Sequence, residues 1–399
     1  MRQSRTASGL TVVAVGAFAI AVAFVGGAQV LGGSARASTA SSHSHTPVAA
    51  APAPHAIPKP QPSSIAVVRR EAGRDALWSV APAGGATKLV DLSFRPERIE
   101  ASPNGAKLAL LRSSRGPRVF VYDIAAGALK TLSLARHGVR QVDAITWLSN
   151  SRLLVSGSRA ATGSYALNDR LYVVNVATGK SAWFRKLQGA EPSVAAQAPR
   201  LVYVRLNDAG PSPDQPGTRL VSEKLLSLRL VSGATLRVIA RARYSRGLDI
   251  RAFRDPRVSP DGRLVISSTT GSDVAATYTV RAVATGKRLF RKNTQLAGRD
   301  ATAWDAQSAR VAFWGIALSA PQATRIYVYD LPAGKLTAVG RYADRGATGL
   351  SWAPDGSRLA YTLSAFGNAV DRGRLWIVDP ATPAAAQLLG AGSLPAWLP

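Results

Sequence analysis

A short turn recurs along this chain at intervals that only a repeat architecture accounts for. Ser102-Pro103-Asn104-Gly105, Ser259-Pro260-Asp261-Gly262 and Ala353-Pro354-Asp355-Gly356 each place proline where φ must be about −65° and glycine where the chain reverses, as a type I turn requires. Degraded copies stand at Leu148 to Ser151 and at Asp305 to Ala309. Short apolar runs follow: Leu108 to Leu111, Leu153 to Ser156, Leu201 to Val204, Leu264 to Ser267, Val311 to Trp314 and Leu359 to Thr362. These are strand-length segments bounded by turn signals.

A second mark comes after a variable gap. Val119 to Asp123, Leu171 to Asn175, Ile326 to Asp330 and Leu375 to Asp379 are rich in β-branched and aromatic residues, and each ends in Asp or Asn. Ala126-Gly127, Thr178-Gly179, Ser232-Gly233, Thr285-Gly286 and Ala333-Gly334 then supply the left-handed position that a tight hairpin needs. Each unit of roughly 40 to 55 residues thus reads as four antiparallel strands, a to d, that must stack on neighbours to hide their apolar faces. The recurring Asp123, Asn175, Asp330 and Asp379 follow the repeat, so they are expected to cap hairpins rather than to pair as catalytic carboxylates.

The combined pattern, W-x-P-D-G, a strand, then a strand ending in D-x-x-x-G, resembles the WD40-like (PD40) repeat of TolB-type propellers. The resemblance covers almost everything from Ile65 onward and is closest around Asp261 and Asp355. It implies an all-β fold: a single β-propeller of about seven four-stranded blades, with six to eight allowed by the count. The extra N-terminal domain of TolB has no counterpart here, so the resemblance implies the propeller and not TolB's envelope role.

Second strands fall near 65, 108, 153, 201, 264, 311 and 359, which gives seven units. Ala396-Trp397-Leu398-Pro399 aligns with Ser351-Trp352-Ala353-Pro354, the end of a strand a. Ile65 to Val68 reads as a strand b with no strand a before it. The ring is therefore expected to close by pairing its N- and C-terminal strands, which removes open edges.

Residues 1–37 read as a signal peptide or an uncleaved anchor: Arg2 and Arg5 precede the uncharged apolar run Leu10 to Leu31, and Ala35-Arg36-Ala37 has the small-residue spacing of a cleavage site. Residues 38–64 hold Pro47, Pro52, Pro54, Pro58, Pro60 and Pro62 among Ala, Ser and Thr, the composition of a disordered spacer before a propeller at 65–399. This implies an extracytoplasmic protein, secreted, periplasmic or wall-associated, with membrane contact only through residues 10–31 if they stay uncleaved. With no cysteine, disulfides, thiol chemistry and Cys-ligated metals are excluded. The net charge is +27, and residues 1–64 contribute only Arg2, Arg5, Arg36 and Lys59, so the propeller itself is basic. Such a field attracts polyanions, although arginine outnumbers lysine about four to one and coding bias alone would enrich arginine.

The b–c and d–a connections share one end of the ring and are long, which makes that end the expected binding face. One d–a connection concentrates Arg241, Arg243, Tyr244, Arg246, Arg251, Phe253 and Arg254, a set suited to phosphate, carboxylate or sugar acids. Asn168, in the Ser158 to Asp169 loop, and Asp208 and Asp214, in the Asn207 to Glu223 loop, complete the candidate binding residues. Three of the four histidines, His43, His45 and His55, lie in the spacer, leaving His137 alone in the propeller, and no G-x-S-x-G occurs. Propeller lyases with a similar repeat use several His ligands, and prolyl-oligopeptidase-type enzymes add a hydrolase domain. The expectation is a non-catalytic binding or scaffold module, without metal or cofactor, that engages an envelope protein or an anionic polymer as a monomer, nucleic acid not being its partner in vivo. The alternatives are an envelope sugar- or peptide-processing enzyme built around His137, and a membrane-tethered sensor ectodomain.

Overall fold

The computed structural model describes residues 64–398 apart from 113–117, 160–168, 212–218, 232–235, 246–250, 271–275, 296–301, 317–322, 344 and 366–372. Residues 1–63, on which the expected signal segment and nearly all of the expected spacer fall, lie outside the described residues, as do most of the long connections on which the binding calls rest. Among the described residues no helix is long and apolar enough to cross a membrane.

Seven four-stranded antiparallel sheets form the seven blades of a β-propeller. In blades 2 to 7 the order follows the chain, from an innermost strand a to an outermost strand d. Blade 1 is shared between the two ends: its strand a is Ser393–Trp397, followed by Ile65–Glu71, Arg74–Val80 and Ala86–Leu92. Ile65 pairs with Trp397, Ala66 with Ala396 and Val68 with Ser393, so the expected closure is the one observed. Ile65, Ala66 and Val67 are wholly buried there. At about 1.5–3 kcal/mol for each large apolar side chain removed from water, this seam contributes as much as an ordinary core.

The turns form as their residues dictate. In the Ser259 turn Gly262 (φ 72°) donates to the Ser259 carbonyl at 2.8 Å, and the Ser259 hydroxyl donates to Asp261 at 2.6 Å. In the Ala353 turn, the Ser357 backbone N–H donates to Asp355 at 2.9 Å and holds its carboxyl below the usual range. The strand-ending Asp123, Asn175, Asp330 and Asp379 accept backbone N–H groups of their own turns at 2.8–3.1 Å, the capping role their recurrence implied.

Apolar clusters lie between blades rather than within them. Val202, Val204, Leu225 and Ile239 of blade 4, for example, meet Val258, Val265 and Val283 of blade 5. Tryptophans near the ends of the innermost strands staple neighbours together: Trp147 Nε1 donates to the Glu100 carbonyl at 3.0 Å, Trp304 to Arg257 at 2.8 Å and Trp352 to Ala303 at 3.0 Å.

One loop reading is corrected. Asn207 to Glu223 was expected to be a b–c loop, but the ladder runs through Asn207↔Ser222, Asp208↔Val221 and Pro211↔Arg219. The strand-forming Leu220-Val221-Ser222 draws a polar partner with loop-like composition into register, so tertiary pairing overrides local propensity. Blade 4 therefore has the long strands Arg200–Pro211, Arg219–Arg229 and Leu236–Ser245.

Candidate functional site

The seven innermost strands surround the axis, and most of them are irregular. Register shifts interrupt Gln141–Ser149 of blade 3, Ala190–Val194 of blade 4, Arg251–Val258 of blade 5 and Arg345–Trp352 of blade 7, and also the closing pair of blade 1. Three irregularities contain an X-Pro step: Glu191-Pro192, Asp255-Pro256 and Leu394-Pro395. The residue before each proline has a positive φ, 51°, 45° and 55° respectively. Proline is tolerated because strand a is an edge strand within its blade. A non-glycine residue held there costs about 1–3 kcal/mol, and such strain is characteristically stored at functional sites.

The bulges re-aim side chains. Asp143, Glu191, Asp255, Thr348 and Leu394 all turn into a cavity of about 320 Å³ at the long-connection end of the axis. Arg95, Glu97, Arg98 and Arg254 complete its charged lining. The Asp255 backbone N–H donates to Glu191 Oε2 at 2.6 Å, locking two of the strained residues to each other. Gln141 donates to Asp143 at 2.7 Å. A second cavity, about 370 Å³, opens toward the short-turn end and is walled by Trp147, Trp304, Trp352 and Trp397.

Between the cavities an ionic brace crosses the channel. Glu100 Oε1 lies 3.0 Å from Arg98 Nε and accepts from Arg257 Nη1 at 2.9 Å, while Asp255 Oδ1 lies 3.3 Å from Arg257 Nε and 3.9 Å from Arg98 Nη2. Arg98 and Glu100 belong to blade 2 and Asp255 and Arg257 to blade 5, on opposite sides of the seven-bladed ring. The four side chains are only 10–18% exposed. The brace is neutral as a whole, which is what allows four charges to sit together out of water.

The structure separates the sequence-predicted binding residues. Arg254 reaches the axial cavity. Arg241 and Arg243 are exposed on the outermost strand of blade 4, opposite Lys224 and Ser222. Tyr244 lies on that strand and Arg251 begins the innermost strand of blade 5. Asp208 is exposed and accepts the Gly210 N–H at 3.0 Å. Asn168, Asp214 and Arg246 lie outside the described residues. His137 lines neither cavity; its Nε2 is 3.1 Å from the Ser181 hydroxyl and its ring packs on Tyr172. Arg95, Glu97, Arg98, Asp143, Glu191 and Asp255 were missed. The signal was present in the repeat frame: Pro192, Pro256 and Pro395 each precede by two positions the last residue of strand a, Val194, Val258 and Trp397.

No protein-family model matches the sequence, and no curated protein matches it. Solved structures do. A puromycin-hydrolyzing peptidase of Mycobacterium tuberculosis is 13% identical with a TM-score of 0.52, over 82% of this chain and 53% of that one. An oligogalacturonate lyase in complex with manganese is 12% identical with a TM-score of 0.51, over 83% of this chain and 85% of that one. TolB of Acinetobacter baumannii is 15% identical with a TM-score of 0.44, over 85% of this chain and 83% of that one. At such identities the likeness shows the fold alone, a seven-bladed β-propeller. The expectation that the chain is not an enzyme is corrected by the same comparison, because a lyase and hydrolases share the architecture. The exclusion rested on scarce histidine, whereas carboxylates also serve as general acids and bases and several converge on this axis. The fold by itself does not show catalysis.

Proposed function

We propose that this chain is an exported TolB-like propeller of the WD40-like repeat type that binds a segment of an envelope protein in the axial mouth at its long-connection end. One observation carries the reading: bulges in the innermost strands direct Asp143, Glu191 and Asp255 into a single cavity with Arg95, Arg98 and Arg254. A pocket that presents both signs of charge within about 320 Å³ complements a peptide segment carrying both acidic and basic groups better than it complements a polyanion. Strain at Glu191 and Asp255 supports pre-organisation, since side chains fixed before binding lose little freedom on binding. Export rests on Arg2, Arg5, the Leu10 to Leu31 run and Ala35-Arg36-Ala37.

The test is a photo-crosslinking amino acid placed at Glu97 in the mouth and, separately, at Gln387, exposed on the outermost strand of blade 7. The expected outcome is one protein crosslinked in envelope extract from position 97 only, and lost when Glu191→Lys reverses one charge of the pocket. Crosslinks from position 387 alone, or none affected by Glu191→Lys, overturn the axial site. N-terminal sequencing of the exported protein, expected to begin near Ser38, checks the leader independently.

A further inference from the structure

Blades 4 and 5 turn five arginines toward each other at the short-turn end of the ring. Arg200 begins strand b of blade 4 and stands directly opposite Arg229, the last residue of strand c, while Arg237 lies next to this pair on strand d, opposite Ser227. These residues share the sheet face of Val202, Leu225 and Ile239, which packs against blade 5. On the facing wall Arg281 stands opposite Val265 and Arg288, and Val265 packs against blade 4. Two close approaches fix the walls to each other. A Cβ added at Gly262 of blade 5 would stand 3.3 Å from the Arg200 Cβ, and one at Gly286 only 2.3 Å from the Ile239 carbonyl of blade 4.

Nothing among the described residues neutralises this cleft. Among the described residues none of the five guanidiniums forms an ion pair. The adjoining Asp261 is already engaged by the Ser259 hydroxyl at 2.6 Å and lies 3.7 Å from Arg263. Burial, then the charges of Arg229 and Arg237, pull the Arg200 guanidinium below its ordinary range, and burial, then Arg288, do the same to Arg281. Like charges directly opposite on neighbouring strands destabilise a sheet, and here that happens twice. The Arg281 Nε is also a buried donor without a hydrogen-bond partner.

We infer that the cleft between blades 4 and 5 is a binding site for a linear phosphate polymer, independent of the axial mouth and at the opposite end of the ring. Arginine presents a planar fork matched to oxyanions, and several forks close together call for more than one negative charge. The donors come from two facing walls. A tetrahedral phosphate in a chain has oxygens directed to both sides, whereas a planar carboxylate turns its two oxygens to one side, so the geometry favours phosphate.

The experiment measures binding of long-chain inorganic polyphosphate to the full chain over a salt series. Arg229→Ala with Arg237→Ala is compared with Arg241→Ala and Arg243→Ala, an equal charge loss at exposed positions farther along the same strand d. The cleft pair is expected to weaken binding about tenfold or more and to make the dependence of log K on log salt shallower by about 0.7 per lost contact, while the control pair changes affinity less than about threefold. Without polymer the cleft pair should melt at or above the wild-type temperature, because repulsion is relieved, so lost binding cannot be ascribed to unfolding. Equal losses in the two pairs overturn the site in favour of diffuse charge. Polygalacturonate binding as tightly as polyphosphate, with the same dependence on Arg229 and Arg237, overturns the assignment of phosphate.

Discussion

Substituting Glu100 by glutamine keeps the shape of the side chain and removes its charge, leaving the guanidiniums of Arg98 and Arg257 at 3.0 and 2.9 Å from a neutral amide. At about 3 Å and an effective dielectric of about 20, each contact is worth roughly 5–6 kcal/mol of gross Coulomb attraction. Most of that is offset by desolvation of the charges. What remains visible on deleting one partner of a buried pair is about 3–5 kcal/mol, because the other partner is left uncompensated. With the brace still 10–18% exposed, the lower end applies, about 3 kcal/mol for Glu100→Gln. Arg257→Met is expected to cost somewhat less, since Asp255 keeps Arg98 at 3.9 Å. The double variant should then cost less than the sum, with a coupling of about 2 kcal/mol between residues 157 positions apart in sequence. Urea unfolding followed by fluorescence of the eight tryptophans measures all four corners of the cycle. Additivity within about 0.5 kcal/mol would show that the two sides of the channel are not joined energetically, and the reasoning from distances would fail.

Deleting Leu394 to Pro399 removes the strand that seals blade 1, including Ala396, Trp397 and Leu398, all under a tenth exposed, and should lower the melting temperature far more than deleting residues 38–60; equal melting curves would refute closure by this strand. Gly286→Ala forces a Cβ to 2.3 Å from a backbone carbonyl at φ +75°, whereas Gly334→Ala meets open space at φ +61°. Both carry the left-handed penalty of about 1–2 kcal/mol, so the first variant should be the less stable by a further 1 kcal/mol or more, roughly, in the same urea assay. Burial pushes the Tyr203 hydroxyl up to about 12, burial and then the Asp255 charge raise Tyr278, and burial and then the Tyr342 hydrogen bond raise Tyr361. The folded state thus holds these protons above the unfolded value of 10.0, so their contribution is complete below pH 10 and is lost as pH rises toward 12 and beyond. Tyrosinate absorbance should appear together with loss of structure in that window, and ionisation of all ten tyrosines near pH 10 with the fold intact would contradict it.

What the sequence made legible is what local chemistry controls. Pro-Asp-Gly turns, strand-ending Asp or Asn and hairpin glycines each act within a few residues, so the blade unit, its count and the shared first blade could be read from them. The site could not be read the same way, because it is assembled from the innermost strands of several blades. Glu191 and Asp255 are 64 positions apart, and only the stacking of blade 5 on blade 4 sets the carboxylate of one on the backbone of the other. Arg254 and Arg241 illustrate the limit. Thirteen residues apart, they belong to one basic stretch in sequence, yet the chain passes from the outermost strand of one blade to the innermost strand of the next between them. A cluster in sequence that straddles a d–a connection is divided between wall and axis.

The same topology sorts charge by function. Strand a meets the axis and strand d meets solvent, so a blade can vary its outer charges without disturbing the channel. Five acids, Glu97, Glu100, Asp143, Glu191 and Asp255, face four arginines along the axis, leaving it close to neutral within a strongly basic propeller. The outermost strands Ser181–Gln188, Leu236–Ser245 and Arg288–Thr294 contain no acid and eight Arg or Lys. Edge strands with cations resist pairing with other chains, which accounts for scattered charges on solvent-facing sides. It does not account for Arg200, Arg229 and Arg281, which lie on inner strands b and c, where no edge needs guarding. Repulsion placed there gives no protection and weakens two ladders, so a ligand that reverses its sign is the simplest reason for the fold to contain it.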